Sequence, residues 1–175
     1  FDALIGGARC DEEKSRAKER IFSFRDDFGQ WNPKSQRPEL WDLYNTHVFK
    51  GEHIRVFPIS NWTELDIWQY ITQEKLELPS IYFSHLRKVF KRDDLLIPLT
   101  NFTPAKSSDV IEEISVRFRT VGDITCTCPV ESNASTPEEI LYETAVTQIS
   151  ERGATRLDDQ TNDSSMEKRK KQGYF

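Results

Sequence analysis

No stretch of this sequence approaches the ~20 consecutive apolar residues needed to cross a bilayer, and no secretory signal pattern is present in it. Cysteine is scarce. Three residues, an odd number, argue against a disulfide scaffold and point to a reducing compartment, the cytoplasm. An excess of positive charge is also missing. With 24 Lys and Arg against 29 Asp and Glu, the net charge is −5, which disfavours general nucleic-acid binding but leaves room for a local cationic pocket. There is no internal repeat and no local Ser/His/Asp signature of a nucleophilic enzyme. Phe1 is not an initiator Met, so the chain is expected to begin inside a domain.

What is present suffices for a folded core. The chain has 175 residues, 37% of them hydrophobic and 30% charged, which marks a protein with much exposed surface. Phe1 to Ile5 reads as a short buried strand ended by Gly6-Gly7. Asp11 to Arg20 has no apolar stripe and reads as a loop or a polar helix, held at best by pairs such as Glu12–Arg16, worth ~0.2–0.5 kcal/mol each. Asp26 to Trp41 is a long turn-rich loop. Ile54-Arg-Val-Phe-Pro-Ile59 is a second strand with Pro58 at its end. Ser60 to Ile71 predicts a helix with Thr63 as N-cap, packing Leu65, Trp68 and Ile71 on a sheet. Glu77 to Pro104, punctuated by Pro79, Pro98 and Pro104, reads as irregular. Ser115 to Thr120 alternates as a strand does, with Val116 and Phe118 on one face and Arg117 and Arg119 on the other. Thr136-Pro-Glu-Glu139 is a helix start, running to about Ser150 and burying Ile140, Leu141, Ala145 and Ile149. A polar linker and a short basic helix, Ser165 to Gln172, follow.

The densest chemistry lies at the beginning. Gly6-Gly7-Ala8-Arg9 leads into a charged block containing Asp11, Glu12, Lys14 and Arg16. A strand ending in glycines and an arginine brings backbone N–H groups and a cation to one place, as phosphate or sulfate binding requires. A glycine pair after a strand also serves simply as a tight turn, and charge runs are commonly solvated. A guanidinium bonded to phosphate oxygens is worth ~1.5–3 kcal/mol, whereas a solvated cation is worth almost nothing. Arg117 and Arg119 form a second cationic pair, or else a solvent-facing edge. Cys126-x-Cys128 would need further ligands to hold a metal, with only His47, His53 and His85 to supply them, and no metal site is assigned. Trp41, Trp62 and Trp68 read as core.

Several longer runs carry more than composition. Gly7-Ala-Arg9, Asp11-Glu-Glu-Lys-Ser-Arg-Ala-Lys-Glu-Arg20, Phe22-Ser-Phe-Arg25, Gln36-Arg-Pro-Glu-Leu-Trp41, Gly51-Glu-His-Ile-Arg-Val-Phe-Pro58, Asn61-Trp-Thr-Glu-Leu-Asp-Ile-Trp-Gln-Tyr-Ile71, Val116-Arg-Phe-Arg-Thr-Val-Gly122 and Lys171-Gln-Gly-Tyr-Phe175 closely resemble the small subunits of bacterial sulfate adenylyltransferases. The wider family includes phosphoadenylyl-sulfate reductases. The resemblance implies an α/β fold, part of an adenine-nucleotide α-hydrolase-like wound sheet with a C-terminal α+β extension. It implies α/β strands and helix over 1–75, the extension over 76–150, and a polar linker with a basic tail helix over 151–175.

The resemblance further implies transfer of AMP from ATP to sulfate, giving adenylyl sulfate and pyrophosphate. ATP with Mg²⁺ is then a substrate, no tightly bound cofactor is required, and a large GTPase subunit is the partner. Neither nucleic acid nor membrane is a partner. Arg9, Lys14 and Arg16 would contact reacting anions. Gly6, Gly7, Ala8, Asp11 and Glu12 would complete that site, with Arg117 and Arg119 as a second set, and Asp11 or Glu12 orienting the cations or helping to hold Mg²⁺.

Three departures stand out. The family's ATP-cradling loop is expected upstream of Phe1. Cys10 stands where relatives usually carry a second arginine, and Cys128-Pro129 replaces a glycine and a small residue. The alternative reading is a non-catalytic module that docks the GTPase subunit, through Lys168-Arg-Lys-Lys171 for example, or that associates with itself because its sheet lacks neighbours. The reductase branch uses a cysteine near the C-terminus, and none follows Cys128 here.

Overall fold

The computed structural model describes residues 1–12, 21–32, 48–92, 94–125 and 127–147. The chain forms two compact units: β1 to β3 fall in one, and everything described from Glu64 onward falls in the other.

The first unit holds a three-stranded sheet in the order β1-β3-β2, from β1 (Ala3–Ile5), β2 (Phe22–Arg25) and β3 (His53–Val56). β1 runs parallel to β3, with Leu4 opposite Arg55. β2 runs antiparallel to β3, setting Ser23 opposite Arg55 and Arg25 opposite His53. Because side chains alternate along a strand, Phe22, Phe24, Ile54 and Val56 share one face. Phe24 and Ile54 on it are buried. Ser23, Arg25, His53, Arg55 and Leu4 share the other. β1 departs from its expected burial: all three residues are exposed, Ile5 at 79%. Among the described residues it pairs on one side only, with β3, so apolar character marked the strand but not its environment. The chain turns near Gly51, whose φ of +94° suits glycine and whose added Cβ would lie 2.7 Å from Asp27 Oδ1.

The second unit pairs a four-stranded antiparallel sheet, ordered β5-β4-β6-β7, with two helices. Its strands are β4 (His85–Arg92), β5 (Leu95–Pro98), β6 (Glu112–Arg117) and β7 (Val130–Glu131). Half of the segment expected to be irregular is therefore a β4–β5 hairpin. Its prolines misled because Pro98 closes an edge strand, where a missing N–H harms nothing. Asp94 supplies the left-handed turn residue, at φ 63°. β6 ends at Arg117 rather than Thr120, and Val116, Arg117, Phe118 and Arg119 are all buried.

Helix α1 (Glu64–Glu74) buries Trp68 and Ile71 against Ala134 and Ile140 of the same unit, with Leu141 packed alongside. Leu65, expected in that face, is 38% exposed, and Glu64 is buried in its stead. Helix α2 (Pro137–Val146) starts as the sequence indicates: Thr136 Oγ1 accepts from Glu139 N, and Pro137 opens the first turn. Glu139 reaches back past the cap to Ser135, accepting from its N–H at 2.7 Å and its hydroxyl at 3.0 Å. α2 stops at Val146, short of Ser150, and only Ile140 is fully buried in it; Ala145 is exposed. Phe90, Leu95, Ile97 and Cys128 form a second core cluster. The basic tail helix and linker lie outside the described residues.

Candidate functional site

The turn after β1 is built by two backbone hydrogen bonds to the segment around and after β3. Gly6 N–H donates to Val56 O at 2.9 Å, extending the parallel pairing one residue past the strand. Cys10 N–H donates to Ser60 O at 2.7 Å and pins the far side of the turn. Gly6 is small for a reason, since a Cβ there would stand 3.2 Å from the Phe57 ring. At Gly7 the nearest atom is Ile59 Cδ1 at 3.9 Å, an ordinary contact. The turn thus sits beyond the carboxyl ends of two parallel strands, where open α/β sheets place their ligands.

Arg9 is the centre of this turn and is only 6% exposed. Its backbone N–H donates to Glu12 Oε1 at 3.2 Å, and Glu12 N–H returns to Arg9 O at 3.4 Å. The same Glu12 oxygen lies 3.7 Å from Arg9 Nε, while Asp11 Oδ2 lies 3.6 Å from Nη1. Glu12 therefore fixes backbone and side chain together. Asp11 is half-exposed, and its separation from the guanidinium is longer than a hydrogen bond. Cys10, next to Arg9 in the chain, is a half-buried free cysteine. Gly6, Gly7, Ala8, Arg9, Asp11 and Glu12 come together in this one turn. Lys14 and Arg16 lie outside the described residues. Among the described residues no group of three or more His, Cys, Asp or Glu gathers to hold a metal ion.

Arg117 and Arg119 are placed differently. Both belong to the second unit and neither is a solvent-facing edge residue. Arg117 donates through Nε and Nη2 to Glu143 Oε1, at 3.0 and 2.7 Å, and its guanidinium lies 6.0 Å from the Trp68 ring centroid. The other oxygen of Glu143 accepts from Ser132 Oγ. Arg119 Nε donates to Glu64 Oε1 at 3.1 Å and Nη2 donates to Glu64 Oε2, a bidentate pair between two buried side chains. These partners, 26 and 55 residues away in sequence, left no local signal. The one usable hint was Glu64 at the start of α1, where a carboxylate is favoured by the helix dipole in any case.

A mixed α/β sheet with an arginine turn beyond its parallel strands defines the class. The chain belongs to the phosphoadenosine phosphosulfate reductase domain family, whose profile matches residues 1–129. Within that class, it is similar along its whole length to proteins named sulfate adenylyltransferase subunit 2. The identity is 62% to those of Mycobacterium tuberculosis and Mycobacterium bovis and 61% to that of Mycolicibacterium vanbaalenii, each over 175 residues. That is 100% of this chain and 57% of each relative, so the chain spans little more than half the length of the curated relatives it matches. No helix among the described residues is long and apolar enough to cross a membrane.

Proposed function

We propose that this chain forms part of the catalytic small subunit of a sulfate adenylyltransferase. A sulfate oxygen attacks the α-phosphorus of ATP and forms a new P–O bond. The bond from that phosphorus to the β-bridging oxygen breaks, and pyrophosphate leaves with the electron pair, with Mg²⁺ entering as part of the nucleotide substrate. Such a transfer needs little covalent help from protein; it needs two anions held in line and their charge balanced.

The observation that carries this reading is the buried Arg9 at the carboxyl end of β1 and β3, preset by Glu12 and shielded loosely by Asp11. Arg9 would balance charge on the reacting phosphate or sulfate, with Lys14 and Arg16 beside it in the chain. The amide groups of Gly6, Gly7 and Ala8 would line the approach. Arg117 and Arg119, engaged by Glu143 and Glu64, support the second unit instead. The name of the relatives, a subunit 2, implies assembly with another subunit, which we take to be the large GTPase.

The test is sulfate-dependent exchange of labelled pyrophosphate into ATP, measured on the subunit with its GTPase partner. Arg9→Gln is expected to lower kcat/KM by about 10- to 100-fold, the worth of one charge-assisted contact. Absence of sulfate-dependent exchange in the unmodified assembly would sink the enzymatic reading, and full activity in Arg9→Gln would sink the site. The second reading is a binding module. It is favoured by the exposed apolar edge of β1, where Phe1, Leu4 and Ile5 all face solvent. Under that reading the chain associates stably and shows no exchange.

A further inference from the structure

The sheet of the second unit lacks one hydrogen-bonded rung beside β4, and a cavity stands in its place. Leu99 N–H donates to Lys88 O at 2.9 Å, so Lys88, and by alternation Phe90 and Arg92, turn their backbone groups toward β5. Val89 and Lys91 therefore turn theirs toward β6. Val89 meets Glu112 there, and the register ends at that pair. Among the described residues nothing hydrogen-bonds the N–H or C=O of Lys91 on this side. The chain just before β6 is held in a turn instead. Asp109 N–H donates to Lys106 O, and Asp109 Oδ2 accepts from Lys106 N–H at 2.8 Å and from Arg92 Nη2. The gap is a cavity of about 240 Å³, lined by Val89, Lys91, Leu96, Ser108, Val110 and Glu112 among others. Alternation sets Val89, Lys91, Leu96 and Glu112 on one face of the sheet. Lys91 and Glu112 are exposed, and neither joins an ion pair among the described residues.

We infer that this cavity binds a free α-amino acid with an apolar side chain, seated as the missing rung opposite Lys91. In an antiparallel ladder a residue at that place donates to the Lys91 C=O and accepts from the Lys91 N–H. A free amino acid does both, with its ammonium on the carbonyl and its carboxylate on the amide. Its charges also meet their complements, the Glu112 carboxylate and the Lys91 ammonium. Its side chain lies among Val89, Leu96 and Val110. Three observations select a single amino acid over a longer chain or a nucleotide. Only one rung is open, because Glu112 fills the preceding one and Arg92, beyond Lys91, turns to β5. Unpaired charges of both signs stand at the gap, which suits a zwitterion and not the uncharged middle of a peptide. The volume equals the share of roughly eight waters at about 30 Å³ each. That is below the roughly 300–1,000 Å³ of sites for drug-sized ligands, so a nucleotide is too large. The cavity belongs to the second unit and takes none of the anions assigned to the Arg9 turn, so the inference stands independently of the proposed reaction.

The experiment is a titration of the intact chain with L-leucine, followed through its backbone amide NMR signals. The Lys91 amide is expected to shift saturably, together with those of Val89, Val110 and Glu112. 4-Methylpentanoate, which lacks the ammonium, and isoamylamine, which lacks the carboxylate, are each expected to bind about tenfold more weakly or worse, the loss of one charge-assisted bond. D-Leucine cannot keep both main-chain bonds and its side chain on Val89 and Leu96, so it too is expected to be about tenfold weaker. Glu112→Gln alters an exposed side chain and is expected to weaken L-leucine about threefold, as an exposed ion pair is worth, while leaving 4-methylpentanoate unchanged. No saturable shift at Lys91 overturns the proposal, and so does equal binding of D-leucine. N-acetyl-leucine methylamide binding as tightly as L-leucine also overturns it, because the gap would then receive a strand of another chain.

Discussion

Removing one member of the Glu64–Arg119 pair should be among the most damaging changes available in the second unit. Both side chains are buried and joined in a two-point fork. Glu64→Met leaves the Arg119 guanidinium inside the protein without that carboxylate, and breaking a buried pair this way costs about 3–5 kcal/mol. A domain commands only ~5–15 kcal/mol in total. Amide hydrogen exchange at β4 and β6 reads the second unit alone. At about 1.4 kcal/mol per tenfold, protection there should fall by two to three orders of magnitude. Pairing Glu64→Met with Arg119→Met removes both charges and keeps the volume, so most of that protection should return. Damage in the double variant equal to the sum of the singles would refute the reasoning. So would an Arg119→Met variant that loses sulfate or ATP binding while its exchange protection stays intact, because Arg119 would then be a ligand rather than a support.

Thr136→Ala removes the α2 N-cap and should cost about 1 kcal/mol, read as a lower urea midpoint with unchanged slope. Gly51→Ala should destabilise the first unit by more than 1 kcal/mol, because it combines a left-handed φ with a Cβ set against Asp27; a variant as stable as the parent would contradict this. Asp109 has its pKa lowered, first by the hydrogen bond from Arg92 and then by the Lys106 N–H. Its stabilising effect is therefore present above the ordinary carboxylate pKa and is lost as pH falls through the lowered one, a slope that Asp109→Asn should flatten in acid unfolding. Exposed Leu4 and Ile5 on β1, with exposed Phe1 just before it, should make the isolated chain self-associate. Sedimentation should show dissociation on Ile5→Lys, and a monodisperse monomer of the parent chain would refute it.

Local chemistry proved legible and distant pairing did not. Thr136-Pro137 carries its own instructions for starting a helix, and Gly6 with Arg9 announced a turn, because cap and turn rules act over three or four residues. The strand read at Ile54–Ile59 from its apolar, β-branched character forms at His53–Val56, ending before Phe57 and Pro58. The β4–β5 hairpin was hidden, since its first strand mixes Arg and Lys with Val and Phe and the register that sorts them comes from β6 and β5. Arg117 and Arg119 looked like a charged strand face because alternation cannot distinguish water from a carboxylate brought by a helix. In the candidate site, Glu12 was visible as a charge, but its bond to the Arg9 N–H, which makes it a brace, required the folded turn.

Glu143 also acts as an error check on strand alignment. It receives Arg117 from β6 with one oxygen and Ser132, just past β7, with the other. A slip of β6 by one residue would send Arg117 to the opposite face and bring Val116 or Phe118 toward the carboxylate. Misaligned sheets would then strand a charge against apolar side chains, whereas an all-apolar contact at this point would tolerate them. The cluster thus discriminates between arrangements of the same strands, and its value lies as much in the wrong folds it penalises as in the right one it holds.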